Sequence, residues 1–326
     1  MRATLPPLFS LVMSVAILGL LLRLRNLPLD HPNARSLHDR PKPRIGGLGL
    51  VPATLAAWWV IPGGAPLSEL SLLATALALV SFLDDCRGLP ASVRFACQLG
   101  AAAGLVMVIP GIDIGWVAVA AIVGVTWASN LYNFMDGADG LAGGMAITGF
   151  GAYALASALA GDWNLASAAA CVAAASAGFL IFNFPPSRMF LGDVGSVTLG
   201  FLAAAIGLLG WTRQLWPWWM PLLSFSPFLV DASVTLGRRL LRGERVWEAH
   251  REHYYQRLVR MGWSHRRLAW FEYLLMLAAA LLAISLALAG PATVLVGIGI
   301  WSGMLAAIMR SIDRRWATHL STGART

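Results

Sequence analysis

The sequence predicts an all-α fold, a polytopic bundle of helices embedded in a membrane. Of its 326 residues, 58% are hydrophobic and 12% are charged, whereas a soluble domain carries roughly a quarter charged residues. The hydrophobic residues occur in runs near twenty, the length with which a helix crosses ~30 Å of hydrocarbon. The ten-residue alternation of a membrane β-barrel is absent, so helices are the structure that suits these runs.

Eleven hydrophobic segments are predicted to span the membrane, with ten as the alternative count, within one domain of residues 1–326. In chain order the segments are 4–22, 46–62, 69–83, 93–110, 114–131, 143–160, 165–183, 195–211, 216–236, 270–289 and 292–309. The first is followed by "RLRNLP" rather than by a small-residue cleavage site, which indicates a retained span. Pro217, Pro221 and Pro227 predict a bend in the ninth span and a lateral groove for a lipid chain there.

The placement of charge predicts that the amino terminus lies outside. With this orientation, every Lys and Arg except Arg2 and Arg213 falls in an inner loop, at an inner helix end or in the carboxyl tail, as the positive-inside rule requires. The net charge of +8 is thereby explained by topology, and nucleic acid is not expected as a partner. The tail "SIDRRWATHLSTGART" is interpreted as a basic anchor.

Tryptophans at the predicted outer helix ends are expected to form an aromatic belt at the membrane interface. They are Trp58, Trp59, Trp116, Trp163, Trp211, Trp216, Trp218 and Trp219.

Polar residues are concentrated in five inner loops, at about residues 23–45, 84–92, 130–143, 183–195 and 237–269. Almost every Asp, Asn and His of the chain lies in these loops, and the outer loops contain nothing comparable. A water-soluble reactant would meet a lipid-borne one at this face. The five loops are therefore predicted to form an active site.

Three of the loops carry aspartates at helix ends or beside glycines. Asp84 and Asp85 end the third span, where a negative charge opposes the helix dipole. In "NLYNFMDGADGLAGG", Asp136 and Asp139 are each followed by glycine, and they would share a face if they lay on a helical turn. Asp193 repeats the arrangement in "FLGDVGS". Solvated helix ends and Asp-Gly turns are the alternative explanations.

Carboxylates that converge at a membrane face would repel one another unless a cation or protons neutralised them. Oxygen ligands without a Cys-His cluster favour Mg²⁺, with Mn²⁺ as the alternative. Because Mg²⁺ usually completes its shell with water and substrate phosphates, these loops predict a diphosphate substrate. The ligand order of a calcium EF-hand is missing. Cys86, Cys97 and Cys171 have no metal-like spacing, and no disulfide is expected.

The fifth loop contains "HREH", in which His250 and His253 are three residues apart. On an amphipathic helix both imidazoles would share a face. The zinc motif H-E-x-x-H needs a spacing of four, and two surface histidines among arginines are the other explanation. Arg251, Arg257 and Arg260 offer fork-shaped donors that suit phosphate oxygens.

Two further charged residues stand out by position. Lys42 is the only lysine of the chain and lies in "RPKPRIGG", where a stiff basic loop explains it almost as well as a binding role. Asp231 lies near the inner end of the ninth span. A carboxylate at that depth is costly, so it indicates either a functional site or a structural hydrogen bond to a neighbouring helix.

Together the loops resemble those of the polyprenyl-phosphate N-acetylhexosamine-1-phosphate transferases, glycosyltransferase family 4. The family includes phospho-MurNAc-pentapeptide transferases and the enzymes that initiate O-antigen and teichoic-acid lipid intermediates. The likeness runs from "DHPNARSLHDRPKPRIGGLG" through "DD", "NLYNFMDGADGLAGG" and "FNFPPSRMFLGDVGS" to "HREHYYQRL". The last motif replaces the three consecutive histidines of the peptidoglycan branch and is closer to the O-antigen branch.

The resemblance implies a reaction in a bacterial inner membrane, with the active site on the cytoplasmic face. An N-acetylhexosamine-1-phosphate would pass from its UDP derivative to undecaprenyl phosphate, with release of UMP, and would start a lipid-linked glycan such as O-antigen. GlcNAc, GalNAc and the 6-deoxy sugars FucNAc and QuiNAc all stay open as the sugar. Membrane lipid is the other implied partner, and a homodimer is compatible with this reading.

The resemblance also assigns roles to residues. Asp193 matches the Mg²⁺ ligand of the family's G-D-x-G-S motif. Asp84 and Asp85 match an aspartate pair that organises the metal and activates the acceptor phosphate, with Asp85 taken as a second metal ligand. The substrate-binding residues implied or suggested are Lys42, Asn130, Asn133, Asp136, Asp139, Asn183, Phe190, His250 and Arg257. His253 is favoured as the catalytic histidine. Direct attack by the lipid phosphate is preferred, and an aspartyl intermediate on Asp84 or Asp85 is the alternative.

Other classes of protein fit the pattern less well. A lipid or solute transporter would place ionisable residues near the midplane, on broken helices of repeated halves, but these spans are nearly free of charge and show no repeat. A scaffold protein needs no glycine-flanked carboxylates. A CDP-alcohol phosphotransferase would carry a dense run of aspartates on paired helices, and this sequence has no such run. The sugar-phosphate transferase is therefore the favoured reading.

Overall fold

The structure is a computed structural model that describes residues 5–24, 27–30, 32, 37, 40–61, 67–246, 248 and 250–323. Part of the predicted motif in the first inner loop, residues 31, 33–36 and 38–39, lies outside the described residues. The described residues form helices and one short antiparallel ladder. The all-α prediction is confirmed, and the ladder is the one addition to it.

The elements follow the predicted hydrophobic segments closely. The helices are α1 (Leu5–Leu21), α2 (Gly46–Trp59), α3 (Ser68–Arg87), α4 (Ala91–Val108), α5 (Trp116–Met135), α6 (Leu141–Leu159), α7 (Trp163–Asn183), α8 (Gly192–Thr212), α9 (Trp219–Ser224), α10 (Ser226–Leu241), α11 (Tyr254–Arg260), α12 (His265–Ala287) and α13 (Pro291–Gly323). The ladder joins β1 (Leu29–Asp30) to β2 (Lys42–Pro43).

Seven helices of the described chain are long and apolar enough to cross a membrane, namely α4 to α8, α12 and α13. The chain is therefore a polytopic helical membrane protein, as predicted. By length and composition α1 is a shorter apolar helix, and α3 carries the charged residues of the inner end. The exact number of crossings and the side of the amino terminus stay predictions.

The ninth predicted span is two helices rather than one bent helix. α9 ends at Ser224 and α10 begins at Ser226, with Phe225 between them. Pro227 stands in the first turn of α10, where its missing N–H costs no intrahelical hydrogen bond. The break confirms the bend that the prolines predict, and the lateral groove stays a prediction.

α8 is the central helix of the bundle and packs against α2, α3, α5, α6 and α7. Small residues let its backbone approach its neighbours, as is common between membrane helices. A Cβ added at Gly47 of α2 would collide with the backbone of Gly195, and one at Gly200 would collide with the carbonyl oxygen of Ala128 on α5. These contacts hold the inner ends of α2, α5 and α8 together.

The predicted aromatic belt is only partly a surface feature. Trp58 and Trp216 are buried in the bundle, where their indole N–H groups donate to the carbonyl oxygens of Ala168 and Gly207, each at 3.0 Å. Buried indoles need such a partner, so these two tryptophans hold helices together instead of facing the interface. Large exposed faces remain on Trp59, Trp116, Trp163 and Trp218.

The carboxyl tail is helical and continues the last predicted span. α13 continues without a break from Pro291 to Gly323 and is 33 residues long, about 50 Å at 1.5 Å per residue. That length exceeds the ~30 Å of hydrocarbon, so the helix extends beyond the membrane. Within the bundle the indole N–H of Trp301 donates to Oγ of Ser226 at 2.9 Å.

Gly200→Ala is expected to lower the melting temperature of the protein in detergent. The added methyl group would force α5 away from α8, and overpacking of this kind costs about 1–3 kcal/mol. Thermal unfolding followed by size-exclusion chromatography measures the effect. Gly151→Ala on α6 is the control, because a Cβ there meets no atom within 4 Å. Equal melting temperatures for the two variants would contradict the close α5–α8 contact.

Candidate active site

Four aspartates meet at one end of the bundle. Asp84 and Asp85 lie in the last turn of α3, Asp136 directly follows α5, and Asp193 lies in the first turn of α8. The backbone N–H of Val194 donates to Oδ2 of Asp85 at 3.3 Å and joins α3 to α8. Burial, together with the charges of Asp193 and Asp85, raises the pKa of Asp136 well above its usual range. We call these four residues the acidic cluster.

Two arginines supply counter-charge to the acidic cluster. Nη1 of Arg94 lies 2.9 Å from Oδ2 of Asp84 and 3.5 Å from Oδ2 of Asp193. Nη1 of Arg44 lies 3.7 Å from Oδ1 of Asp85. These contacts offset both the mutual repulsion of the carboxylates and their unfavourable position at the carboxyl end of α3.

The residues of the acidic cluster fit a magnesium ion. Among the described residues, Oδ1 of Asp85 is buried and has no hydrogen-bond partner, and the side chain of Asp193 retains 22% exposure. Within the described residues no three His, Cys, Asp or Glu side chains form a ready-made metal cage. Mg²⁺ does not require one, since it binds through one or two carboxylates together with waters and substrate phosphates. Asp193 and Asp85 are the residues that would hold it.

The two asparagines of the third inner loop lie on α5, one turn apart. Oδ1 of Asn133 accepts from Oγ of Ser196 at 2.9 Å, which places it beside Asp193 on α8. Nδ2 of Asn130 donates to Oε1 of Gln98 at 2.5 Å and thereby links α5 to α4. Asn133 borders the acidic cluster, and Asn130 lies one turn further into the bundle.

Asp136 and Asp139 do not share a face, contrary to the expectation for a helical turn. α5 ends before Asp136, and the chain turns before α6 begins. Asp139 points to a different set of partners. Its Oδ1 accepts from Oγ of Ser187 at 2.8 Å, its Oδ2 accepts from the N–H of Ser187 at 3.0 Å, and Nζ of Lys42 lies 3.6 Å from Oδ2. Of these two aspartates, only Asp136 belongs to the acidic cluster.

His265 completes the surroundings of Asp139. Its Nδ1 lies 3.6 Å from Oδ1 of Asp139, and its Nε2 lies 3.3 Å from the carbonyl oxygen of Leu37. The backbone N–H of Asp139 donates to the same Nδ1 at 3.1 Å. Burial alone would raise the pKa of Asp139, but the nearby imidazole of His265 and the hydrogen bonds from Ser187 outweigh it and lower that pKa below its usual range. Asp139 therefore ties together segments from four parts of the chain.

Lys42 and Phe190 lie side by side, next to the Asp139 contacts. Nζ of Lys42 donates to Oγ of Ser187 at 2.7 Å and lies 5.0 Å from the centre of the Phe190 ring, within range of a cation–π interaction. The backbone N–H of Phe190 donates to the carbonyl oxygen of Pro43 at 2.8 Å. The first and fourth inner loops are thereby joined beside one aromatic ring.

Asn183 ends α7 and is buried. Its Oδ1 accepts from the N–H of Gly140 at 2.8 Å, and its Nδ2 donates to the carbonyl oxygen of Met189 at 2.9 Å. The side chain thus holds the third inner loop against the fourth. Gly140 has a φ of 80°, which glycine adopts without a steric penalty.

The "HREH" motif is not helical, contrary to the expectation of an amphipathic helix. It precedes α11, and the backbone N–H of His253 donates to Oε1 of Gln256 at 3.2 Å. The rings of His250 and His253 nevertheless lie close, with their centres 4.8 Å apart. Burial, with the nearby charges of His253 and Arg239, lowers the pKa of His250 to about 4.

Asp231 holds His253 and the start of α11. Its Oδ1 accepts from the N–H of Tyr254 at 2.9 Å, and its Oδ2 accepts from the N–H of Tyr255 at 3.0 Å. Nδ1 of His253 lies 3.3 Å from Oδ1. The ring of His253 also stacks on Phe134, with centres 6.3 Å apart, only two residues before Asp136. Asp231 therefore makes structural hydrogen bonds to a neighbouring helix, which was one of its two explanations, and these bonds position His253.

The contacts of Arg257 within the described chain are with α13, Glu252 and Tyr254 rather than with the acidic cluster. Its Nη1 donates to Oδ1 of Asp313 on α13 at 2.8 Å, and its side chain is only 9% exposed. Its guanidinium lies 5.0 Å from the centre of the Tyr254 ring. The sequence gives no signal for this partner, because Asp313 is 56 positions away in the chain.

The chain is similar in sequence to a known family of membrane transferases. A model described as glycosyl transferase family 4 matches residues 68–210. A probable undecaprenyl-phosphate N-acetylglucosaminyl 1-phosphate transferase of Bacillus subtilis is 30% identical over 269 residues, which cover 76% of this chain and 74% of the relative. The phospho-N-acetylmuramoyl-pentapeptide-transferase of Heliobacterium modesticaldum is 31% identical, over 76% of this chain and 84% of the relative.

The chain belongs to glycosyl transferase family 4. This confirms the resemblance drawn from the five loops. A decaprenyl-phosphate N-acetylglucosaminephosphotransferase of Mycobacterium tuberculosis is also 30% identical, over 75% of this chain and 72% of the relative. The matched region of the family 4 model runs from the start of α3 almost to the end of α8. It therefore contains the whole acidic cluster.

Several residues of this family 4 protein were missed by sequence reasoning. Arg94 had a usable signal, since it is a charge at the edge of a predicted span. Arg44 lies in the quoted motif "RPKPRIGG", where nothing in the sequence distinguishes it from the other basic residues. Ser187 and His265 had no signal, because their significance lies in contacts with residues 48 and 126 positions away in the chain.

Asp139→Asn is expected to lower the melting temperature at neutral pH, because the variant loses the charged partner of Lys42 and Ser187. The folded pKa of Asp139 is lowered from its ordinary 3.8, so the stabilisation is present above that value and fades as the pH falls toward the folded pKa. The difference between wild type and variant should therefore be constant from pH 7 to about pH 5 and shrink below it.

Thermal unfolding in detergent across this pH range tests the expectation. Asp113→Asn is the control, because Asp113 is exposed in the short connection before α5. A difference between wild type and Asp139→Asn that grows as the pH falls would contradict the assignment.

Proposed function

We propose that the protein transfers an N-acetylhexosamine-1-phosphate from its UDP derivative to undecaprenyl phosphate and releases UMP. The reaction takes place at the cytoplasmic face of a bacterial inner membrane. The observation that carries the proposal is the acidic cluster, in which carboxylates from α3, α5 and α8 converge beside two arginines in a member of family 4. The names of the Bacillus and Mycobacterium relatives suggest the sugar phosphate and the lipid acceptor.

The bonds of this reaction balance without a redox step. An oxygen of the lipid phosphate attacks the phosphorus that carries the sugar. The bond from that phosphorus to the bridging oxygen breaks, and UMP leaves with the electron pair. The protein therefore needs to position two phosphates in line and to neutralise the charge on their oxygens.

The acidic cluster suits the neutralising role. Held by Asp193 and Asp85, Mg²⁺ (or Mn²⁺) would offset the charge on the diphosphate oxygens. Arg44 and Arg94 present guanidinium groups at the same place, and these donors match phosphate geometry. Asp84 is bonded to Arg94 and orients it toward Asp193.

The nucleotide is proposed to lie on the side of Lys42 and Phe190. The Phe190 ring offers a flat face on which uracil can stack, and the ammonium group of Lys42 beside it suits a phosphate. Asn183 and Asp139 hold the third and fourth inner loops around this place through their own hydrogen bonds. Their proposed contribution is to keep the uridine site open in one shape.

His253 is proposed to act on the phosphates from the other side of the acidic cluster. Asp231 bonds to the backbone at the start of α11 and lies beside Nδ1, which leaves Nε2 as the atom directed away from Asp231. With a proton on Nδ1 shared with Asp231, Nε2 would be an acceptor. Direct attack by the lipid phosphate is preferred over an aspartyl intermediate because it requires no covalent step on the protein.

The sugar stays the open part of the proposal. GlcNAc is the first sugar to test, because it occurs in the names of the Bacillus and Mycobacterium relatives. GalNAc, FucNAc and QuiNAc follow. The "HREHYYQRL" motif favours a product that starts an O-antigen type of glycan over a peptidoglycan precursor.

Purified protein in detergent is expected to release UMP from a UDP-N-acetylhexosamine only when both polyprenyl phosphate and Mg²⁺ are present. A radiolabelled sugar nucleotide and extraction of the lipid product measure the reaction, with the four sugars tested in parallel. Omission of lipid phosphate, and addition of EDTA followed by excess Mg²⁺, are the controls. A transporter would give no lipid-linked product with any of the sugars, and that result would refute the proposal.

Asp193→Asn is expected to abolish turnover while the protein remains folded. The variant keeps the shape of the side chain but removes one metal-binding charge, and the loss of a charge-stabilising group lowers kcat by about 100-fold or more. Turnover and the size-exclusion profile are measured on the same preparation, with Asp113→Asn as the matched control. Near-normal turnover would remove Asp193 from the metal site.

A further inference from the structure

The inner end of α13 carries a single acidic residue, Asp313, among basic neighbours. Arg310, Arg314 and Arg315 surround it in the sequence, as the positive-inside rule predicts for an inner helix end. That rule gives no reason for the aspartate. The side chain of Asp313 is 29% exposed, and Ile312 beside it is buried, so this part of the helix packs against the protein.

Asp313 accepts hydrogen bonds from two other helices. Nη1 of Arg257 on α11 donates to Oδ1 at 2.8 Å. Nη1 of Arg238 on α10 and the hydroxyl of Tyr254 on α11 donate to Oδ2 at 2.7 and 3.2 Å. A lone exposed ion pair contributes little to stability. Here one carboxylate accepts three hydrogen bonds, and the side chain of Arg257 is only 9% exposed.

Further contacts make the junction of α11 and α13 specific. The guanidinium groups of Arg238 and Arg257 lie 5.5 and 5.0 Å from the centre of the Tyr254 ring. One turn along α13 from Asp313, the ring of Trp316 lies 4.6 Å from the guanidinium of Arg260, the last residue of α11. Both ends of α11 are therefore held by α13.

Tyr254 connects this junction to the active site. Its hydroxyl bonds to Asp313, while its backbone N–H bonds to Asp231. His253 is the residue immediately before it, is 3% exposed, and stacks on Phe134 next to the acidic cluster. α11 has only seven residues, too few to be a stable helix without tertiary contacts. The position of His253 therefore depends on what holds α11.

We propose that Asp313 is a positioning residue, which fixes α11 through Arg257 and Tyr254 and so keeps His253 beside the acidic cluster. The consequence for catalysis rests on the proposed function, whereas the consequence for the position of His253 does not. The carboxyl-terminal helix is then part of the active-site framework rather than an anchor. Arg257 acts through Asp313 and makes no contact of its own with substrate phosphate.

The first test measures the accessibility of His253 without any substrate. Diethyl pyrocarbonate modifies exposed neutral imidazoles, and mass spectrometry of peptides gives the rate at each histidine. Asp313→Asn keeps the shape of the side chain and is expected to raise the rate at His253 by roughly ten-fold through local opening of α11. The rate at His265 on α12 is expected to stay at the wild-type value.

Two further variants separate this effect from general damage. Arg314→Gln removes a charge from the same helix at an exposed position and is expected to leave the His253 rate unchanged. Asp313→Glu keeps the carboxylate and is expected to restore most of the protection. A His253 rate in Asp313→Asn within two-fold of wild type would overturn the proposal, as would an equal rise in Arg314→Gln.

The second test is a double-mutant cycle on turnover. Asp313→Asn and Arg257→Gln are each expected to lower kcat by about 10- to 100-fold, the scale of a small misplacement of a functional group, with the KM for the sugar nucleotide little changed. Because the two side chains act as one unit, the double variant should be no slower than the slower single variant. Losses that multiply, or an Arg257→Gln variant that raises only KM, would overturn the positioning role.

Failure of this proposal is distinguishable from failure of the proposed function. If wild-type protein shows no transferase activity, the modification experiment still decides whether Asp313 holds His253. If turnover is present and the modification rates do not change, the transferase stands and the role of Asp313 is refuted.

Discussion

Repulsion among four carboxylates at the end of three helices is the constraint on which the site depends. Asp84, Asp85, Asp136 and Asp193 come together because α8 packs against α3 and, through Gly200, closely against α5. Within the part of the chain that the structure describes, Arg44 and Arg94 offset some of this charge, and one oxygen of Asp85 has no hydrogen-bond partner. An incompletely neutralised cluster is what a divalent cation and a diphosphate can complete.

The other acidic residues near the site have the opposite character. Asp139, Asp231 and Asp313 are each surrounded by donors from separate segments of the chain, including backbone N–H groups, hydroxyls and arginines. Such carboxylates have little capacity left for a ligand and serve to hold loops in place. The aspartates of this face therefore differ in what they leave open. Asp85 and Asp193 keep oxygens that a cation could bind, whereas Asp139, Asp231 and Asp313 are engaged by donors of the protein.

Local patterns in the sequence were sufficient for the membrane helices and for the gathering of polar residues at one face. They were not sufficient for the geometry within the loops. The spacing of Asp136 and Asp139 suggested a shared face, but α5 ends between Met135 and Asp136, and the two side chains diverge. "HREH" suggested a helix, yet Asp231 holds the backbone that follows it so that α11 begins only at Tyr254.

Hydrophobic runs, charge asymmetry and the order of the five motifs can be seen along the chain without knowing which segments meet in space. The amino-acid sequence alone therefore determined the helical membrane fold and the family. The partner of each charged side chain, by contrast, cannot be found from the residues next to it in the sequence. Arg94 and Asp193 are 99 positions apart, and Arg257 and Asp313 are 56 positions apart. Only the packing of helices brings such pairs within bonding distance, so the tertiary structure decided which aspartates remain open to a cation and which hold the framework.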